Sequence, residues 1–137
     1  MLERLLHDQP TDVQALYFRA LIWSAKQEWN RALADYEVAS MLSPDDPSLK
    51  FNCGLVAWHA GDLVKAERYF SQARCLDPTC EGAHYYLAMV YERQGRLAEA
   101  LALAQKALEL RPTDCSIGVD DFIVLIDRLE KLGEYTR

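Results

Sequence analysis

Three histidines, four cysteines and a few paired acids are the residues of this chain whose types could do chemistry. A histidine beside a cysteine would make a base and its nucleophile, and a cluster of either would hold a metal. Their spacing offers neither. His7, His59 and His84 stand far apart, and Cys53, Cys75, Cys80 and Cys115 form neither a CxxC pair nor a paired zinc pattern. There is no HExxH, no phosphate-binding glycine loop and no nucleophile elbow. Asp45-Asp46 and Asp120-Asp121 fall at expected helix starts, where carboxylates offset the helix dipole. His59 lies near the open end of its helix and reads as a groove or surface residue. The chain is therefore expected not to be an enzyme, with no catalytic residue, no metal and no cofactor.

The elements that position these residues come next. The 137 residues suit one domain, and half of them are hydrophobic, enough for a core. The net charge of -6 and the lack of a basic stripe disfavour nucleic acid and anionic membrane surfaces. No apolar run approaches the roughly 20 residues of a membrane span. The first eight residues are too charged for a secretory signal. A cytoplasmic setting with reduced thiols is expected. Cys80 and Cys115 would be the pair to crosslink in an oxidising buffer.

One period organises the chain. Pro10, Pro44, Pro78 and Pro112 follow one another at 34 residues. Ala32, Ala66 and Ala100 keep the same step, as do Ala39, Ala73 and Ala107. So do Leu42, Leu76 and Leu110, and Trp29, Leu63 and Leu97. Proline ends the second helix of each unit. Gly61 and Gly95 end the first helix with a positive φ, and Gln27 holds that place in the first unit, where a less regular turn is expected. Thr11 to Gln14 reads as a capping box, and Asp46-Pro47 as an N-cap followed by proline. Helices are expected near 12–26, 29–42, 47–60, 63–76, 81–94 and 97–110.

These columns resemble the tetratricopeptide repeat, whose pattern is W-x2-L-G-x2-Y, then A-x3-F, then P. Residues 13–46 read Leu16, Arg19, Ala20, Trp23, then Ala32 and Tyr36, then Pro44. Residues 47–80 read Lys50, Cys53, Gly54, Ala57, then Ala66 and Phe70, then Pro78. Residues 81–114 read His84, Leu87, Ala88, Tyr91, then Ala100 and Ala104, then Pro112. Arg19, Lys50, Ala57, His84 and Ala104 depart from the pattern. His84 stands where the family packs a large side chain, so a packed histidine is expected. The resemblance implies an all-α, right-handed α-solenoid of three helix pairs. The small residues Ala20, Gly54 and Ala88 would let paired helices approach, and Trp23, Tyr36, Phe70 and Tyr91 would fill the space beside them.

In that family the first helices of successive repeats line a concave groove. The resemblance places Gln14, Tyr17, Phe18, Leu21 and Ala25 there in the first repeat. It places Ser48, Phe51, Asn52, Leu55 and His59 there in the second, and Tyr85, Tyr86, Met89 and Arg93 in the third. This set is aromatic for a surface and suits a protein or peptide partner with apolar anchors. Family members that clamp an acidic C-terminus use Lys and Asn, then Asn, then Lys and Arg. Here only Asn52 matches; Tyr17, Leu21, Gly82 and Tyr86 stand where the others belong. The architecture is also similar to bacterial secretion chaperones of three such repeats, which hold apolar segments of translocators.

The ends carry two further expectations. Residues 1–10 match the second helix of a preceding repeat whose first half is missing, as in a chain cut from a longer array. Residues 115–137 hold a capping helix near 116–132, with Val119, Phe122, Ile123, Ile126 and Leu129 along its stripe and Leu125 and Leu132 widening it. Asp120, Asp127, Arg128 and Lys131 mark its wet face. Exposed Val124 would let it also serve a homo-oligomer or a following domain. The functional expectation is an adaptor or chaperone-like binding module. A self-association piece acting through its terminal helices, or a regulatory module cut from a larger enzyme, are the alternatives.

Overall fold

Helices account for all the regular structure in the computed structural model, which describes residues 12–110 and 119–136. They are α1 (Val13–Ala25), α2 (Trp29–Leu42), α3 (Pro47–Ala60), α4 (Leu63–Leu76), α5 (Glu81–Arg93), α6 (Leu97–Leu110) and α7 (Val119–Thr136). The helix expected over 1–10, together with Pro10, Thr11, Pro112 and Cys115, lies outside the described residues.

Local chemistry sets the helix ends. Asp12, rather than Thr11, caps α1: its carboxylate accepts from the Gln14 amide at 2.9 Å. Its oxygen sits one residue closer to the amides that lack helical partners. Asp46 caps α3 in the same way, with Pro47 in the first turn. Gly61 and Gly95 turn the chain at φ 85° and 80°. Gln27 does the same at φ 60°. The Glu28 amide donates to the Trp23 carbonyl at 2.9 Å, matching Asp62 to Ala57 at 2.9 Å and Arg96 to Tyr91 at 2.8 Å. The expected irregular turn is thus regular; a glutamine simply adopts a left-handed conformation that costs an L-residue roughly 1–2 kcal/mol.

Consecutive helices pack as pairs: α1 with α2, α3 with α4, α5 with α6. The pairs close because small residues face each other. Ala20, Ala32, Ala66, Ala88 and Ala100 are all fully buried. At Gly54 the approach leaves no room for a side chain: a Cβ there would lie 2.7 Å from two carbons of the Phe70 ring. Phe70 and Tyr36 are buried beside these small residues as expected. Trp23 departs from expectation. It is only half-buried, and its ring takes the Arg31 guanidinium at 4.9 Å and the Lys26 ammonium at 5.7 Å. The first turn of α2 brings Arg31 onto its face and the C-cap of α1 brings Lys26, a favourable use of a partly wet indole.

The chain divides between Leu76 and Asp77 into two compact units. In the first, α2 also packs on α3; in the second, α6 also packs on α7. Helix α7 runs to Thr136, four residues past the expected end, passing through Gly133. An isolated helical glycine costs only about 1 kcal/mol against alanine, so it need not stop a helix. Its core side is centred on Leu125 and Leu129, each 1% exposed, whereas Ile123 lies outside at 51%. The side chains of Val119, Asp120 and Phe122 lie outside the described ones.

Candidate peptide-binding face

In the first unit, residues 14, 18, 21 and 25 of α1 recur at helical spacing, as do 48, 52, 55 and 59 of α3. Each set is therefore one face of its helix. Gln14, Phe18, Leu21 and Ala25 are all exposed, Phe18 by 43% and Leu21 by 42%. On α3, Ser48 and His59 are exposed while Asn52 and Leu55 are half-buried. These faces carry no Lys, Arg, Asp or Glu.

The aromatic rings nearby divide between two roles. Tyr17 stands edge-on to Tyr36 at 5.8 Å and to Phe18 at 6.0 Å. Phe51 tilts against Phe70 at 5.6 Å. Both are half-buried, so each anchors its helix pair and presents only part of its surface. His59 stacks on Trp29 of α2 at 4.8 Å and 19°. That stack was not readable from the sequence, because it joins two elements that share no repeat column.

In the second unit, Tyr85 and Tyr86 meet at right angles at 5.4 Å, both half-buried. Met89 is half-buried and Arg93 exposed. Burial raises the Tyr85 hydroxyl above its ordinary value, and the Asp121 carboxylate adds to this. His84 is 1% exposed, and its Nδ1 donates to the Cys80 carbonyl at 2.9 Å. It is a packed histidine with a satisfied ring nitrogen.

The buried polar groups of the first unit serve packing. Asp35 receives two bonds from the Arg19 guanidinium, at 2.6 and 2.7 Å. The Tyr69 hydroxyl donates to Glu37, which also pairs with Lys65 at 3.5 Å. Burial pushes the Tyr36 and Tyr69 hydroxyls up to about 12, so both keep their protons at neutral pH. Cys53 is pushed up to about 12, first by burial and then by Glu37, and Cys75 is exposed. A thiol without thiolate character does not attack disulfides. An aromatic disulfide reagent is expected to label Cys75 in the folded protein and Cys53 only on unfolding. Mass spectrometry of the labelled peptides checks this, and early labelling of Cys53 would contradict its burial.

Among the described residues, no group of three His, Cys, Asp or Glu could hold a metal ion. No helix among them is long and apolar enough to cross a membrane. Helix pairs closed by small residues, with apolar side chains exposed along first helices, define a helical-repeat protein that works through a surface. The chain belongs to the tetratricopeptide-repeat family: two models of that repeat match residues 24–79 and 57–116. It is 30% identical over 104 residues to Protein NPG1 of Arabidopsis thaliana, covering 72% of this chain. The chain spans only 15% of that relative's length.

Solved structures share the all-α fold. The Yersinia enterocolitica type III secretion chaperone SycD, in complex with a peptide of the translocator YopD, is similar with a TM-score of 0.82 and 16% identity. The similarity covers 88% of this chain and 94% of that one. The first TPR domain of Spaghetti (RPAP3), bound to the HSP90 peptide SRMEEVD, gives 0.79 at 16% identity over 92% and 96% of the two chains.

Proposed function

We propose that this chain is a protein-interaction module whose first unit takes up an apolar or aromatic segment of a partner protein along the faces of α1 and α3; α5 offers an aromatic face of its own in the second unit. The observation that carries this is the pair Phe18 and Leu21, each more than 40% exposed on a face without formal charge. Exposed apolar residues grouped on one face mark an interaction surface when no polar neighbour breaks them up. Asn52 adds an amide that can bond a peptide backbone, and Met89 adapts to varied side chains.

Two neighbours hold peptides of their partner proteins. The HSP90 peptide on Spaghetti is acidic. An acidic tail needs cations to make charge-assisted bonds, and Tyr17, Leu21, Gly82 and Tyr86 supply none. The SycD complex holds a peptide of the translocator YopD; on this chain an uncharged face suits an apolar segment.

A test needs a defined ligand. A peptide of about 16 residues selected from a display library on the intact chain would span some 50 Å when extended. Fluorescence anisotropy then measures its affinity. Phe18→Asp with Leu21→Asp is expected to weaken binding at least tenfold, about 1.4 kcal/mol. Both side chains are exposed, so the fold should survive. Unchanged affinity would remove the α1 face from the site.

A further inference from the structure

We infer that the first unit carries a second binding site, away from the faces of α1 and α3: a cavity that takes the C-terminal end of a peptide whose last side chain is apolar. Neither site needs the other.

The cavity measures about 400 Å³, a ligand-sized volume, and is lined by Pro44, Lys50, Ser71, Gln72, Cys75 and Leu76. All of them belong to the first unit. Pro44 follows α2, Lys50 lies in the first turns of α3, and the rest close α4. At roughly 3.6 residues per turn, Lys50 stands about half a turn round α3 from Ser48, Asn52, Leu55 and His59. The lining thus draws on the opposite side of α3 from the peptide face.

Lys50 makes it a site for an anion. Its repeat column is a packing column: Leu16 and His84 hold the same place at 2% and 1% exposure. Lys50 is half-buried there, yet it has no ion pair and no side-chain hydrogen bond among the described residues. A cation drawn partly out of water gains from a carboxylate that replaces its lost hydration. Ser71 and Gln72 add a hydroxyl and an amide, neither bonded to another described side chain. Among the described residues no Asp or Glu lines the cavity. Nearby in the chain, Asp46 is committed to the Ser48 amide at 2.9 Å and Asp77 to the Thr79 hydroxyl at 2.6 Å. Asp45 and Arg74, one of each sign, flank the lining residues in sequence. The dipoles at the end of α4 and the start of α3 are opposite in sign, so the full charge of Lys50 decides.

The walls set what the carboxylate must carry. Pro44, Cys75 and Leu76 are apolar and exposed, Leu76 by 40%. An aliphatic or aromatic side chain gains by covering them. In a C-terminal residue the carboxylate and the side chain leave the same carbon, so one residue meets both the cation and the apolar wall. An internal Asp or Glu carries its charge at the side-chain tip and has little left to lay on that wall. The Gln72 amide remains for the peptide group before the last residue, a partner that a fatty acid lacks.

Amide NMR of the full chain tests this with acetyl-Gly-Gly-Leu, once as the free acid and once as the carboxamide. The free acid is expected to shift the amides of Lys50, Ser71, Gln72, Cys75 and Leu76, and the carboxamide to bind about tenfold more weakly. Lys50→Met keeps the length of the side chain and should bring the free acid down to the affinity of the carboxamide, with the thermal midpoint held. Ser71→Asp sets a carboxylate in the cavity and should abolish binding of the free acid. Equal affinity of the two peptide forms, or no shift at these amides, overturns the site. If octanoate shifts the same amides as tightly as the peptide, the cavity holds a lipid tail and the inference is overturned. Phe18→Asp with Leu21→Asp should leave this binding unchanged. If that pair abolishes it, the peptide sits on the α1 face; the cavity site falls and the proposed function stands.

Discussion

Phe70→Ala should lower the stability of the first unit by about 3–5 kcal/mol, measured as the shift in its urea unfolding free energy. Phe70 is fully buried and is among the largest such side chains. Its ring covers Gly54 and meets Phe51 at 5.6 Å. The cost of a large-to-small change depends on how far the surroundings collapse into the space. Here they collapse poorly. Gly54 has no side chain, and the buried residues Ala57, Ala66 and Ala73 cannot reach inward without moving backbone. The loss should therefore fall at the upper end of the range. A coupled test sharpens it. Gly54→Ala alone sets a Cβ 2.7 Å from the ring and should destabilise through overpacking. Combined with Phe70→Leu, the same methyl enters vacated space, so the double variant should lose less than the two singles together. A loss below 1 kcal/mol for Phe70→Ala would show that the α3–α4 contact does not depend on this ring.

Much of the fold could be read from spacing, because a 34-residue step carries proline, alanine and leucine columns at once. The helix ends followed from cap and turn chemistry. What spacing could not show was what happens where a column is broken. Arg19 looked like a lost apolar site; it is a partner for Asp35, sixteen residues on. Gln27 looked like a missing glycine; the backbone kept its shape and the residue bears the strain. The face residues were readable by register, but their division of labour was not. Tyr17 and Phe51 lean on Tyr36 and Phe70, while Phe18 and Leu21 remain exposed, and only ring geometry separates those roles. The last helix misled most. Its stripe is wide enough to fit several registers, and packing takes Leu125 and Leu129 into the core and leaves Ile123 on the open side.

Asp35→Ala is the second large expectation, a loss of about 3 kcal/mol. The Arg19 and Asp35 side chains are 19% and 8% exposed and share two short bonds. Removing the carboxylate leaves a guanidinium that can reach water only in part. That residual access places the loss at the low end of the range for a broken buried pair. The same two columns hold Cys53 with Tyr69 in the second repeat and Leu87 with Leu103 in the third, all buried. One site between paired helices thus accepts an ion pair, a thiol beside a phenol, or two leucines. Desolvating both ions offsets most of their attraction, so the pair need not add net stability over an apolar one. Arg19→Leu with Asp35→Leu should therefore recover the loss and match or exceed the parent's unfolding midpoint. If the double variant stays as unstable as Asp35→Ala, the pair supplies a contact that leucine cannot replace. If it is stable, the ion pair works by selection: α1 and α2 prefer each other because any other partner leaves one charge buried alone.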